Sequence, residues 1–250
     1  MPKPKRADLK NAGQKNRQTG RAEFTRSTAR DVQNSDELET WTSERSIRME
    51  PGVFKKIKFA DAKETMAVAD EMAQHFGIPL DELVKNVTTT AKDSRATMSA
   101  NIGIRALRWN PKYYKNSAQD NHIEVLMNRT QGGGLFHPAN QTQASTTAHE
   151  IAHLLGGRLR EPETEVINEA MTAVNAQRTA RGETALGRDD LRASITSKRG
   201  YSMKSDDETV AEAFADVYAN RSKAAPFSQE IWRNIERRFG VKQSWLGGQP

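Results

Sequence analysis

The segment His149-Glu150-Ile151-Ala152-His153 has the residue types and the spacing of a metal-dependent hydrolase. On a helix, residues four apart lie on one face, so His149 and His153 can present two imidazole nitrogens to a single ion. Glu150 lies beside that face, where a carboxylate can act as a general base toward a water molecule. The pattern H-E-x-x-H is a zinc-protease signature. Two incidental histidines on a surface helix are the alternative, and their spacing together with Glu150 favours a zinc site.

A third metal ligand must lie elsewhere in the chain, because a catalytic zinc ion takes three protein ligands and leaves a position for water. The chain has no Cys, which restricts the candidates to His and carboxylate side chains. The metzincin pattern H-E-x-x-H-x-x-G-x-x-H would place a His at position 159, but this residue is Leu159. Gly156 fits the pattern and is better explained as the glycine that ends the motif helix.

Glu169 is one candidate for the third ligand. It lies in Asn168-Glu169-Ala170, which resembles the ligand segment of thermolysin-like enzymes. Such a site also needs a carboxylate one turn later to orient a His ligand, but residue 173 is Ala173. The interval between His153 and Glu169 is also short for that arrangement.

Glu208 is the other candidate. Glu208 and Glu212 share one face of a predicted helix, so the first could bind zinc while the second accepts an N–H from one of the motif histidines. Tyr201, seven residues upstream of Glu208, could donate its phenol hydrogen to a developing oxyanion. A solvated acidic stripe on a surface helix is the alternative interpretation, which the two motif histidines disfavour.

The order of these motifs resembles that of a known enzyme family. The H-E-x-x-H motif at 149–153, followed by Tyr201 and by the segment 208–214, is similar to the catalytic domain of anthrax lethal factor, a gluzincin-type zinc metallopeptidase. It also resembles metallopeptidase-like domains of phage minor head and head-morphogenesis proteins and of prophage-linked toxins. The segments 104–114 and 135–138 resemble stretches that precede the zinc helix in those phage domains.

This resemblance covers about residues 100–240 and implies a zincin-like α+β domain with a small sheet, an active-site helix and C-terminal helices. It implies a Zn²⁺ cofactor and a role for each motif residue: His149, His153 and Glu208 as metal ligands, Glu150 as general base, Tyr201 as oxyanion donor, and Glu212 as the carboxylate that orients a ligand. Thr209-Val210 departs from the family, which has two aromatic residues there. The role of His137 stays open between a substrate-side function and none.

Hydrophobic spacing predicts the elements that must position these residues. We expect the motif helix over 143–155. Further predictions are helices over 61–76 (with a capping box of Asp61 and Glu64), 117–129, 162–181, 207–221 and 228–239, and strands over 53–59 and 102–109. The segment 81–92 has both helical and strand character. The polar segment 183–199 is predicted as an irregular surface loop, and the stretch 181–199 could cover the site.

The charge of the chain is concentrated at its N-terminal end. Residues 1–30 hold nine Lys or Arg against two Asp or Glu, a net charge of +7, whereas the whole chain carries +6. Because this segment has few apolar residues, we expect a flexible basic tail over 1–50 and one metallopeptidase domain over 51–250. A basic tail can bind nucleic acid through its phosphates, or phage head proteins. A merely solubilising tail is an equally good interpretation.

The sequence shows no apolar run long enough for a membrane span and no apolar stretch behind its basic start. We therefore expect no signal peptide, no membrane partner, and a location in the cytoplasm or within a phage virion. The predicted function is a zinc-dependent endopeptidase that cleaves a protein or peptide substrate with zinc-activated water. The alternative is a phage head or DNA-packaging component that keeps the fold as a structural module and binds a partner through its tail.

Overall fold

A computed structural model describes residues 26–91, 94, 96–114, 130–131 and 134–247 of the chain. Within these ranges the fold combines nine α-helices with one four-stranded sheet and one two-stranded ribbon. The predicted combination of a small sheet with several helices is confirmed, while its zincin-like identity stays a prediction. The predicted helix over 117–129 and the residues 1–25 lie outside the described residues.

The four-stranded sheet has the order β1-β2-β4-β3, with strands β1 (Arg48–Met49), β2 (Asn86–Thr89), β3 (Met98–Asn101) and β4 (Ala106–Trp109). Strands β1, β2 and β4 are parallel, whereas β3 runs antiparallel to β4 and forms one edge. Val87 and Leu107 are register partners, and both are fully buried. The ribbon pairs β5 (Thr130–Gln131) with β6 (Gly134–Leu135).

The helices supply most of the core. Their bounds are α1 Ser35–Glu44, α2 Phe59–His75, α3 Leu80–Leu83, α4 Pro111–Tyr114, α5 Gln143–Gly156, α6 Glu163–Ala180, α7 Arg188–Ile195, α8 Asp206–Asn220 and α9 Pro226–Arg238. Short 3-10 helices lie at Thr28–Asp31, Val53–Lys55, Tyr201–Met203 and Arg221–Lys223. In the described ranges, none of the helices has the length and the apolar character needed to cross a membrane.

Helix α5 lies at the centre of the domain, where it contacts α8, α2 and strand β3. Its most extensive contact is with α8. Buried alanines recur at a spacing of four on both helices, at Ala148 and Ala152 of α5 and at Ala211 and Ala215 of α8. Residues four apart share a helix face, so each helix presents a buried stripe of small side chains, which in helix contacts permit close approach.

Helix α5 begins where the sequence predicts. Thr142 is its N-cap: the Thr142 hydroxyl accepts the Ser145 N–H at 3.1 Å, and the Thr142 N–H donates to the Ser145 hydroxyl at 2.8 Å. The predicted role of Gly156 is wrong, because Gly156 is the last helical residue and the following Gly157 has a φ of −62°. A Cβ on Gly157 would lie 2.4 Å from Ile102 Cγ2, so this glycine permits close approach of the β3–β4 turn.

The predicted boundary of the tail at residue 50 is wrong, because residues 28–50 belong to the folded domain. Leu38 of α1 is fully buried, and Trp41 on the same helix is 6% exposed. Just before this segment, the Ser27 hydroxyl donates to Asp70 Oδ2 of α2 at 2.6 Å. Helix α1 is polar and acidic apart from Leu38 and Trp41, and these two side chains pack on the core.

Three local predictions also need correction. The predicted strand over 53–59 is a 3-10 turn followed by the start of α2, because Val53 and Ile57 are buried at helical spacing behind Gly52. The capping box of Asp61 and Glu64 is absent, since α2 already begins at Phe59. The predicted loop over 183–199 contains helix α7, whose buried residues are Leu191 and Ile195.

The ambiguous segment 81–92 resolves into the end of α3 and strand β2. The strand predicted over 102–109 is shorter, since only 106–109 pair as β4. The helices predicted over 61–76, 162–181, 207–221 and 228–239 are confirmed as α2, α6, α8 and α9, with ends that differ by at most two residues.

Replacing Leu38 by Ala tests whether α1 is part of the domain. We expect Leu38→Ala to lower the free energy of unfolding by about 2–5 kcal/mol, because the change leaves a cavity in the core. The control Glu39→Ala, at an exposed position of the same helix, is expected to change it by less than about 0.5 kcal/mol. Urea denaturation measures both, and a wild-type midpoint for Leu38→Ala would contradict the assignment.

Candidate metal centre

Three of the predicted ligands lie together at the contact between α5 and α8. His149 and His153 are one turn apart on α5, and Glu208 lies in the first turn of α8. His149 Nε2 is 3.3 Å from His153 Nε2 and 3.3 Å from Glu208 Oε2, and His153 Nε2 is 3.5 Å from Glu208 Oε2. The three atoms therefore form a nearly equilateral triangle.

The dimensions of this triangle fit a metal ion. Ligand atoms about 2.0–2.2 Å from a tetrahedral zinc ion lie about 3.3–3.6 Å from one another. Glu208 Oε2 is buried, and it receives no hydrogen bond of normal geometry from any described residue. Its closest described partners are the two imidazole nitrogens of the triangle, and a cation between the three atoms would satisfy this buried oxygen. His149, His153 and Glu208 could thus hold a metal ion.

Glu212, one turn after Glu208, lies behind the triangle. It is fully buried, and its Oε1 is 3.3 Å from His149 Nδ1 and 2.7 Å from His137 Nδ1. An ionised carboxylate can only accept hydrogen bonds, so His137 donates its Nδ1–H to this oxygen, while His149 Nδ1 lies at ion-pair distance from it. With its Nδ1 side toward Glu212, His149 can offer Nε2 to a metal ion, which is how orienting carboxylates act in metal sites.

His137 is the functional residue that sequence reasoning left without a role. It lies in the segment before α5, and its ring is 14% exposed. The contact with Glu212 joins residues 75 positions apart in the chain, so no local periodicity could reveal it. The only signal was the position of His137 in a short stretch that resembles the one before the zinc helix of phage domains.

The charges of the metal-free site are set by these contacts. Burial disfavours the carboxylate of Glu208, but the two motif imidazoles outweigh that effect and hold the pKa of Glu208 well below its usual range. Burial likewise disfavours ionised Glu212, and hydrogen bonds from His137 and His149 lower the pKa of Glu212 overall. Burial lowers the pKa of His149, but Glu208 and Glu212 raise it well above the usual value.

Glu150 lines the cleft that opens beside the triangle. The walls of the cleft come from β3 and its flanks, from α5 and from the start of α8 with the preceding turn: Ala96, Met98, Ser99, Ala100, Ile102, His149, Glu150, His153, Tyr201, Asp207 and Glu208. Burial raises the pKa of the Glu150 carboxyl, although both motif imidazoles and the Ala100 N–H act in the opposite direction. No residue of 181–199 contributes to the described walls.

Tyr201 lies on the other side of the cleft, in the 3-10 helix before α8. Its N–H donates to the Phe136 carbonyl at 2.7 Å, and its ring centroid is 6.0 Å from that of His149. Lys204 Nζ lies 3.4 Å from the centroid of the phenol ring. Burial and the nearby Glu208 carboxylate raise the pKa of Tyr201 above its usual value, so the phenol keeps its proton.

Glu169 does not reach the histidines, so the alternative third ligand is wrong. It lies on α6, where Arg238 of α9 donates to both of its carboxylate oxygens at 2.8 and 3.1 Å. These bonds lower the pKa of Glu169, and Arg237 adds to the effect. Glu169 therefore belongs to a surface ion pair between two helices.

Comparison of the chain with models of protein families, with curated proteins and with solved structures finds no match. The family resemblance therefore remains a prediction that rests on the motifs.

Metal content distinguishes the two glutamates that the sequence offers as third ligand. We expect wild type to bind about one metal ion per chain, Glu208→Ala to lose most of it, and Glu169→Ala to keep it. Inductively coupled plasma mass spectrometry measures the metal bound per chain of each variant after dialysis against zinc. Loss of metal in Glu169→Ala with retention in Glu208→Ala would contradict the ligand assignment.

Proposed function

We propose that this chain is a zinc-dependent endopeptidase. The observation that carries the proposal is the shared cleft: Glu150, Tyr201 and the three metal-capable side chains all line one opening beside the edge strand β3. A general base, a neutral hydrogen-bond donor and a cation site around one space are the groups that hydrolysis of an amide requires.

The donor set favours zinc over magnesium and calcium. Two imidazoles and one carboxylate are the ligand set of many catalytic zinc sites, which keep a fourth position open. Magnesium and calcium prefer sites built from oxygen ligands alone. When bound, zinc supplies Lewis acidity, which makes water more acidic and polarises a carbonyl group.

Glu150 is assigned the proton transfers. It follows His149 directly in the chain, so its carboxylate lies in the cleft next to the ligand triangle without belonging to it. In the proposed reaction Glu150 accepts a proton from the attacking water molecule and then delivers it to the departing amine. Its burial favours this role, because a carboxyl group with a raised pKa holds the proton more readily between the two steps.

Tyr201 is assigned the stabilisation of the oxyanion. Its phenol is protonated, it lines the same cleft as Glu150, and its backbone is fixed to Phe136. A donor that is already oriented toward the developing negative charge needs no reorganisation during the reaction. In the proposed reaction the O–H of Tyr201 donates to the carbonyl oxygen as the carbon becomes tetrahedral and the oxygen gains negative charge.

Strand β3 indicates a polypeptide substrate. The Asn110 N–H bonds to the Thr97 carbonyl, so by antiparallel alternation Thr97, Ser99 and Asn101 direct their backbone groups toward β4. Met98 and Ala100 direct theirs toward the open edge, which lines the cleft. An extended peptide can add to such an edge as a further strand, with its chain continuing on both sides. This geometry suits an endopeptidase.

The predicted binding of nucleic acid or phage head proteins by residues 1–30 stays a prediction, because the structure describes only residues 26–30 of that segment. The predicted location in the cytoplasm or within a phage virion also stays a prediction.

Replacing Glu150 by Gln tests the assignment of the base. We expect Glu150→Gln to keep the metal and to lower the rate of peptide hydrolysis by about 10²–10⁴-fold, because the amide cannot accept the proton. The control Glu165→Gln removes an exposed carboxylate from α6 and should leave the rate unchanged. Mass spectrometry of a degenerate peptide mixture measures cleavage, and wild-type cleavage by Glu150→Gln would refute the mechanism.

Replacing Tyr201 by Phe removes only the phenol hydroxyl. We expect Tyr201→Phe to lower kcat by about 10²–10³-fold with unchanged metal content and little change in KM, because the hydroxyl acts on the transition state. Tyr218→Phe is the matched control, since the Tyr218 hydroxyl is 3.3 Å from Glu71 Oε2, outside the cleft. An unchanged kcat for Tyr201→Phe would remove Tyr201 from the mechanism.

A further inference from the structure

We infer that His137 is a positioning residue of the metal centre, which acts on the ligand His149 through the shared carboxylate of Glu212. This inference rests on the proposed metal centre and assigns a role to a residue outside the H-E-x-x-H and Glu208 motifs. The contacts that carry it are the two Nδ1 atoms on one oxygen, Glu212 Oε1.

The contact of His137 with Glu212 is the shorter of the two. His137 Nδ1 is 2.7 Å from Glu212 Oε1, against 3.3 Å for His149 Nδ1. Glu212 is fully buried, and its second oxygen receives no hydrogen bond from any described residue. His137 is therefore the main anchor of a carboxylate that must stay oriented in order to hold His149.

His137 is itself held rigidly. The following residue is Pro138, whose ring restricts the backbone of His137 to extended conformations, and Pro138 is buried. The His137 ring packs at 5.2 Å from the ring of Tyr201, and the neighbouring Phe136 carbonyl accepts the Tyr201 N–H. Two adjacent residues, Phe136 and His137, thus hold the backbone of Tyr201 and the carboxylate of Glu212 in place.

Removal of His137 has a specific expected effect on metal binding. In His137→Phe the ring that packs on Tyr201 is kept, but Glu212 loses its stronger donor while remaining buried. The carboxylate can then rotate, and His149 loses its fixed orientation. We expect the zinc affinity to fall by about 10–100-fold, the effect that loss of such outer partners has in metal sites.

A conservative variant separates donation from packing. The amide nitrogen of Asn occupies nearly the place of Nδ1 in His, so His137→Asn can still donate to Glu212. We expect His137→Asn to bind zinc within a few-fold of wild type. In a Glu212→Gln background, His137→Phe is expected to have little further effect, because His137 acts through that carboxylate.

His75 provides the matched control for general destabilisation. His75 Nε2 is 2.7 Å from Oε1 of the fully buried Glu236, which is a histidine–glutamate pair of the same length outside the metal centre. We expect His75→Phe to lower Tm while leaving the zinc affinity at the wild-type value.

The experiment is a competition titration of each purified full-length variant with zinc and a chromogenic chelator, with Tm measured in parallel. Weak binding by His137→Phe, with near wild-type binding by His137→Asn and His75→Phe, supports the inference. Wild-type affinity in His137→Phe, while Glu208→Ala loses zinc, overturns the role of His137 and leaves the metal centre in place. Equal losses in His137→Phe and His75→Phe also overturn it. Absence of zinc binding by wild type refutes the metal centre itself.

Discussion

The close packing of α5 against α8 is the constraint on which the site depends. The two motif histidines come from one helix turn, but the carboxylates of Glu208 and Glu212 come from a helix that follows much later in the chain. Imidazole and carboxylate atoms can lie 3.3 Å apart only if the helix axes approach closely. Each of the two helices also buries a pair of alanines at a spacing of four, and small side chains of this kind permit close helix packing. The packing of α5 on α8 thus brings together the polar groups of the site.

The domain buries several glutamates, and it gives Glu71, Glu212 and Glu236 cationic or N–H partners. Glu71 receives Arg30 at 2.7 Å, and Glu236 receives His75 at 2.7 Å and the Trp232 N–H at 2.5 Å. Burial of a carboxylate costs several kcal/mol unless such partners compensate for the loss of water. Glu212 follows the same rule, with one difference: one of its two partners also belongs to the ligand triangle. A buried pair of this kind joins segments of the fold elsewhere, and at Glu212 it also orients His149, a candidate metal ligand.

The parts of the site that the sequence predicts are those with local geometry. The spacing of His149 and His153, and that of Glu208 and Glu212, follow from the helical repeat alone. The choice of Glu208 over Glu169 rested on the residue one turn later, Glu212 against Ala173, because both candidates lie on well-formed helices and only tertiary contacts separate them. The ion pair of Glu169 with Arg238 is one such contact, and sequence patterns do not show which helix faces meet.

The fold predictions failed where composition opposed local packing. Leu38 and Trp41 are two apolar residues within a charged segment. The average polarity of that segment therefore gave no indication of a helix that the core requires. In α7 the same happened with Leu191 and Ile195, which are two buried residues among polar neighbours. His137 could not be assigned, because its contact with Glu212 depends on how a loop folds over two helices. The burial of one or two side chains is enough to hold a short helix on the core. The average composition of a segment does not reveal such burial.

Strand β3 leaves the backbone groups of Ala100 on its open edge, in the same cleft as the buried carboxyl of Glu150. The Ala100 N–H acts to lower the pKa of Glu150, against the larger effect of burial, so the sheet edge and this carboxyl share one electrostatic environment. Under the proposed function, a peptide that pairs with β3 at this position would bond to the same N–H. Selectivity for extended polypeptides over small amides would then arise from backbone pairing, without any pocket for a particular side chain.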